Sequence, residues 1–362
     1  MLNVEHYARP RNHPGSRKQK TGGKTDEEIS STCSGPAVVF SVAIAGTITA
    51  SADYDKINLT MTVNGTDTQI DTKVGQKFAE LVEEATDGAV LIDVFPNDQL
   101  AGGNAAKGME MLADGSVDIA AYATVTMGGL DERLTIGITP WIFDDYTDAR
   151  TTLDETGLDY YAKILEEYNM TLLGSFHNGF RQLTNAKRPV LTPDDLAGLK
   201  IRTPGSAIYH NTFTALGASP STLNWGEVFT ALQQGTIDGQ ENGLSITNTS
   251  GVLEVQPYVT VWSYSYENDL LMFNSDIWNS LNEETQQVLR EKAVEACNWG
   301  RDIVEEEHET LIQEFRDKGI QVDVLTEEQL APFKEKVADV KAEFLAKFDE
   351  DALAAFGIEL EK

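Results

Sequence analysis

From Lys56 onward, the apolar positions alternate between two periods. Ile57–Val63 (INLTMTV) repeats every second residue and stops at Asn64-Gly65, which reads as a half-buried strand closed by a turn. Val74, Phe78, Leu81, Val82 and Ala85 recur at helical spacing, so a helix is expected over about 71–86, ended near Asp87-Gly88. Residues 89–95 read as a second strand closed by Pro96-Asn97, 105–112 as a helix and 117–123 as a buried strand. A β-α-β-α-β order predicts a parallel sheet with helices on its faces.

The rhythm breaks at Thr139-Pro140-Trp141-Ile142-Phe143, an apolar loop, before a helix over about 147–167 and a strand over 171–175. Asn178-Gly179 then reads as a change of direction and a crossing between lobes. Thr192 caps a short helix whose first turn holds Pro193. Strands are expected at 200–203, 252–262 and 270–274, and helices at 206–216 and 224–234. The longest helical run, 283–318, has apolar positions from Val288 to Phe315 and no proline. At 1.5 Å per residue it would span about 50 Å, too long for one domain, so it is expected to lie across two. Glu305-Glu306-Glu307 in its middle reads as a solvated face. A strand at 320–324 and a helix at 327–348 close the chain. No repeat or low-complexity linker separates the halves, so the expectation is a hinged pair of α/β lobes.

Charge narrows the function. Fifty-eight acidic residues against 28 basic ones give a formal charge of −30, which argues against nucleic acid and anionic membrane surfaces as partners. Beyond residue 52 only His177, His210 and His308 remain, none at metal-ligand spacing, and HExxH, CxxC, G-x-S-x-G and P-loop motifs are missing. No catalytic residue, metal or cofactor is therefore assigned. His177 reads as a histidine satisfied by local hydrogen bonds, and Cys297 as a small buried apolar residue.

In so acidic a chain, Lys200-Ile201-Arg202-Thr203-Pro204 stands out: an arginine flanked by apolar residues and closed by proline. About twenty residues earlier lies Arg181, in Gly179-Phe180-Arg181-Gln182-Leu183-Thr184-Asn185. Asp238-Gly239-Gln240-Glu241-Asn242 follows as an amide-bearing turn. Guanidinium forks make paired hydrogen bonds to carboxylates, so this set reads as a pocket for an organic acid.

At these motifs the sequence resembles the TRAP transporter solute receptors, the dicarboxylate- and sialate-binding family. Lys77–Glu84, Val94–Leu100 and Glu227–Gly235 extend the resemblance over nearly all of 56–350. It implies a two-lobed, flytrap-like periplasmic-binding-protein fold with a long helix spanning both lobes. Residues 53–178 with about 267–306 would form lobe I, and 179–266 with about 307–362 lobe II. It also implies delivery of an acidic solute to the membrane permease subunits of a TRAP transporter. By position, Arg202 resembles the residue that clamps the ligand carboxylate, with Arg181 a second basic group. Asn242 resembles a pocket amide, Trp225 an aromatic near the ligand and Asn64 a polar contact from the first lobe. Gly102-Gly103-Asn104-Ala105 is uncharged where many members carry charge, which leaves the acid unnamed. The rival readings are a periplasmic enzyme of organic-acid metabolism and a ligand-sensing module of a receptor.

The N-terminus bears on compartment. Six basic residues lie before residue 35, followed by the uncharged run GPAVVFSVAIAGTI and then Ala50-Ser51-Ala52. Fourteen residues are too few to span a bilayer but suit a signal-peptide core with a small-x-small cleavage pattern, so residues 1–52 are expected to be a leader. Mass spectrometry of the exported protein should find a chain starting near Asp53. Recovery of residues 1–34 on exported protein would reject this.

Overall fold

The computed structural model describes residues 53–359, which belong to one compact unit. The expected first half holds almost residue for residue. β1 is Ile57–Val63, α1 Ile70–Ala85, β2 Val90–Phe95, α2 Ala105–Ala113 and β3 Ile119–Ala123. β1 pairs in parallel with β2 on one side and β3 on the other. A short helix, α3 (Thr124–Met127), springs from the end of β3. The segment expected as one helix at 147–167 is α4 (Tyr146–Thr152) and α5 (Leu158–Glu166), joined through a single π turn.

The second half departs from expectation at the strands that matter most. β4 runs without interruption from Met170 to Asn185, sixteen residues straight through the supposed reversal at Asn178-Gly179. Gly179 instead sits at a register shift in the pairing of β4 with β9 (Tyr266–Asn274), at φ +109°. A bulge bends and twists a strand without ending it, so the glycine marks a kink and not a turn. Its missing Cβ matters twice, because a methyl there would lie 2.9 Å from the Tyr146 hydroxyl.

Beyond the kink the chain builds a second sheet. β5 is Lys200–Thr203, α6 Ala207–Ala215, β6 Ser219–Thr222, α7 Trp225–Gln233, β7 Gly239–Gly243, α8 Leu244–Thr249 and β8 Tyr258–Val261. The order is β2-β1-β3-β9-β4 in the first sheet, continuing β4-β7-β5-β6 in the second, where β8 pairs with β4 and with β10 (Gln321–Val324). β7 corrects the amide-bearing turn expected at 238–242: it is a strand, buried along its whole length, paired with β4 and β5. The run 252–262 shrinks to β8 after a short 3-10 turn, and β6 and α8 had no counterpart in the apolar pattern.

After α9 (Ser275–Ser280) comes α10, Glu283–Asp317, thirty-five residues long. Asn282 caps it by accepting from Thr285 N, and Glu283 and Glu284 sit where the helix dipole favours negative charge. It packs on α1 and β4 toward one end and on α8 and β10 toward the other, so it spans both lobes as expected. Gly300 lets it approach α1 closely, since a Cβ there would come within 2.4 Å of Val74. The acidic triplet is less solvated than expected. Glu305 is half-buried and accepts from Arg150 at 3.2 Å, with His177 Nε2 at 2.9 Å, while Glu307 takes the Ser245 hydroxyl. α11 (Glu327–Leu345) and α12 (Glu350–Ala355) complete the chain. Among the described residues no helix is long and apolar enough to cross a membrane.

Gly179→Ala should destabilise the protein by about 1–3 kcal/mol, through the left-handed backbone and the clash with Tyr146. Urea unfolding measures this, and an unchanged midpoint would show that the kink tolerates a side chain.

Candidate functional site

Asn64, Arg181, Arg202, Trp225 and Asn242 all line one small cavity of about 40 Å³, together with Val125, Thr126, Asn178, Pro204 and Glu267. Their convergence follows from the sheets. β5, β7 and β4 are adjacent, with Arg202 opposite Gln240 and Asn242 opposite Gln182. Asn64 comes from the carboxyl end of β1 in the first sheet, and Trp225 is the first residue of α7, which Asn224 and Glu227 cap reciprocally.

Arg181 and Arg202 have opposite surroundings. Arg181 is 2% exposed. Its Nε donates to Glu241 Oε2 at 2.5 Å, and its NH2 group donates to Glu241 Oε1 at 3.1 Å and to the Glu241 carbonyl at 2.7 Å. NH1 donates to Glu267 Oε2. Burial works against its charge, but the two carboxylates outweigh that and hold its pKa well above the usual value. Of its five N–H groups, one is left over. Tyr264 donates to Glu241 Oε2 at 2.7 Å, fixing that carboxylate in turn.

Arg202 is 4% exposed and has no such partner. Nε and NH2 both donate to the Leu223 carbonyl, at 3.0 and 2.8 Å. The guanidinium lies 5.5 Å from the centre of the Trp225 ring, a cation–π arrangement. No carboxylate among the described residues pairs with it. Burial, above all, pulls its pKa down to about 10; Glu241 opposes the shift and Arg181 adds to it. A desolvated cation without a counter-charge is costly, and three of its N–H groups remain for an incoming anion.

The other wall is anchored to buried acids. Asn64 Nδ2 donates to Asp98 Oδ2 at 2.5 Å, and Tyr122 donates to the other oxygen of Asp98 at 2.7 Å. Asp71 accepts from Gly65 N at 2.5 Å, and burial pushes its pKa up to about 6. Trp225 Nε1 reaches across to Gln69 Oε1 at 3.1 Å, joining residues 156 apart in sequence.

His177 is buried between the Tyr266 hydroxyl on Nδ1 at 2.6 Å and Glu305 on Nε2. Burial first, then Arg301 and Arg150, lowers its pKa to about 3, so the ring is neutral. It is a satisfied structural histidine, as expected. Sequence reasoning missed Glu267, Asn178 and Gln69, and it treated Glu241 as part of a turn. A larger depression, about 650 Å³, lies along α11 beside Trp141 and Lys341, but none of the residues lining it lies on a strand.

The sequence profile of bacterial extracellular solute-binding protein, family 7, matches residues 61–347. The chain is 32% identical over 286 residues to the C4-dicarboxylate-binding periplasmic protein DctP of Rhodobacter capsulatus, covering 78% of this chain and 85% of that protein. It is 30% identical over 284 residues to the 2,3-diketo-L-gulonate-binding periplasmic protein YiaO of Escherichia coli, with coverage of 78% and 85%. A crystal structure of a TRAP periplasmic solute-binding protein from Ralstonia eutropha with bound (S)-2-acetolactate superposes with a TM-score of 0.80. That pair shares 26% identity over 83% of this chain and 98% of the other.

Proposed function

The chain belongs to family 7 of the bacterial extracellular solute-binding proteins, the solute receptors of TRAP transporters, and from that premise we propose that it captures a small organic acid through Arg202. It is an extracytoplasmic substrate-binding protein and not an enzyme, which sets aside the rival catalytic reading. The observation that carries the proposal is the buried Arg202 guanidinium, aimed into the inter-lobe cavity with no carboxylate of its own. The related receptors are named for C4-dicarboxylates and 2,3-diketo-L-gulonate, and the superposed one holds 2-acetolactate. These acids have in common a carboxylate rather than a carbon skeleton.

In this reading Arg202 takes the carboxylate with its paired N–H groups. Asn242 adds an amide N–H, since its oxygen is occupied by Gly243 N at 2.9 Å. Arg181, balanced by Glu241 and Glu267, supports the field around the clamp. Trp225 stacks on Arg202 and closes the side, and Asn64 meets the ligand from the first lobe. Residues 53–178 with about 267–306 form lobe I, and 179–266 with about 307–362 lobe II. The passage of β4 from one sheet to the other at Phe180 and Arg181 supports the first boundary, whereas Phe356, after α12, packs on Tyr160 and Tyr161 of lobe I.

The cavity is small, about 40 Å³, so in this reading the lobes part to admit an acid. They would bend at the Gly179 kink and near Tyr264–Asn268, with α10 flexing between them. The ligand favours closure because only the closed form gives it contacts from both lobes. The closed receptor then delivers the acid to the permease subunits. The leader at 1–52 lies outside the described residues; its removal on export to the periplasm fits this role.

Removing one partner of a desolvated charge pair costs roughly 3–5 kcal/mol. Arg202→Ala should therefore weaken acid binding at least a hundredfold by calorimetry, and Arg202→Lys should bind poorly because an ammonium lacks the fork. Native affinity in Arg202→Lys would end the paired-hydrogen-bond account. For the lobe motion, the radius of gyration from small-angle scattering should fall on saturation with a binding acid. An unchanged radius would replace the flytrap with a rigid site.

A further inference from the structure

The charges around the cavity balance in a way that restricts its occupant. Its charged lining residues are Arg181, Arg202 and Glu267. Arg181 is consumed by Glu241 and Glu267, leaving Arg202 as the one cation in the lining without a carboxylate among the described residues. A first carboxylate on the ligand finds Arg202. A second would find only Arg181, already paired with Glu241 and Glu267.

The uncharged contacts divide in the same sense. On the Arg202 side the free groups are donors: three guanidinium N–H groups, and the Asn242 Nδ2 group, whose orientation is fixed because Oδ1 accepts from Gly243 N. Elsewhere in the lining the free groups include acceptors. Glu267 Oε2 is used by Arg181, but Oε1 has no partner, in a side chain that is fully buried. Asn64 gives one Nδ2 N–H to Asp98, so its oxygen is left free for the cavity, and this orientation too is forced by the carboxylate it faces. Asn178 Oδ1 is a further buried oxygen without a partner. Buried polar atoms without partners are destabilising, so an occupant that supplies N–H or O–H groups to them gains what an unsubstituted chain does not.

We propose that the site selects a monocarboxylate carrying hydroxyl or ammonium donors, recognised by Glu267 and Asn64, over a dicarboxylate of the same length. The inference rests on the acid-binding reading above and adds to it the charge and hydrogen-bonding character of the ligand's far end. Glu267 acts here as a specificity residue: its Oε1 rewards a donor and repels a carboxylate.

Matched acids separate these effects. Each sugar monoacid of three, four and six carbons (glycerate, erythronate, galactonate) is compared by calorimetry with the diacid of the same length (tartronate, tartrate, galactarate). Butanoate, 4-hydroxybutanoate and 4-aminobutanoate form a second series. The expected result is that the tightest monoacid binds at least tenfold more strongly than its diacid. In the second series 4-hydroxy- or 4-aminobutanoate should bind at least tenfold more strongly than butanoate, and which of the two wins identifies the donor. In Glu267→Gln the amide oxygen turns to Arg181 and the NH2 group to the cavity. The variant should weaken the preferred monoacid at least fivefold and shrink or reverse its margin over the diacid. If diacids bind as tightly as monoacids at every length and Arg202→Ala still abolishes binding, acid capture stands and the selectivity proposed here is wrong. If no acid binds, or Arg202→Ala changes nothing, the acid-binding reading itself falls and this one with it.

Discussion

Burying a guanidinium is costly unless something answers its charge, and Arg181 is answered by two carboxylates. Glu241 comes from β7 and Glu267 from β9, so the triad ties together three strands where the first sheet gives way to the second. Removing Arg181 would leave two carboxylates uncompensated in a low-dielectric interior, which costs more than the ion pairs contribute. The triad therefore fixes the crossing more than it stabilises the fold. Tyr264, bonded to Glu241, and Tyr209, whose ring lies 5.4 Å from the Arg181 guanidinium, extend that fixed region into the aromatic core of the second lobe.

Because Arg181 is fully answered, Arg202 is not. Both glutamates lie near enough to act on Arg202 electrostatically, yet both are committed elsewhere. Arg202 is thus a buried cation on β5 that no carboxylate among the described residues contacts. One face of the Trp225 indole lies against Arg202 while its N–H holds Gln69. In the proposed reading, ligand capture and lobe contact would meet in this single side chain.

The sequence revealed the architecture wherever burial follows hydrophobic period. β1, α1, β2, α2 and β5 lie within two residues of their expected limits, and α10 is as long as its apolar stripe. It failed where polar residues are buried. β7 reads GQENG, without one apolar side chain, and it is buried because Gln240 bonds Thr184, Glu241 bonds Arg181 and Asn242 faces the cavity. Such a strand has no periodic signal to find; only its partners, on another strand sixty residues earlier, explain it. Gly179 misled for the opposite reason, since the left-handed backbone that usually marks a turn here marks a bulge within a strand. Arg202 was legible because an isolated arginine among apolar residues is anomalous by itself. Glu267 was not, because a glutamate between aromatic and amide residues becomes informative only once Arg181 is known to touch it.

The exterior acts over a different range. The chain holds fifty-eight acidic residues against 28 basic ones, and many lie on exposed helical faces such as those of α10 and α11. For an anionic solute, the long-range field and the contact site have opposite signs. In the proposed reading, diffusional encounter would be slowed by repulsion, while retention would depend on the Arg202 guanidinium in a closed cleft. Dissolved salt damps fields over about 8–10 Å and beyond, but it does not reach a desolvated contact. Capture by this receptor therefore quickens as ionic strength rises while release changes little, the reverse of a binder that steers its ligand by charge. Brine favours it kinetically.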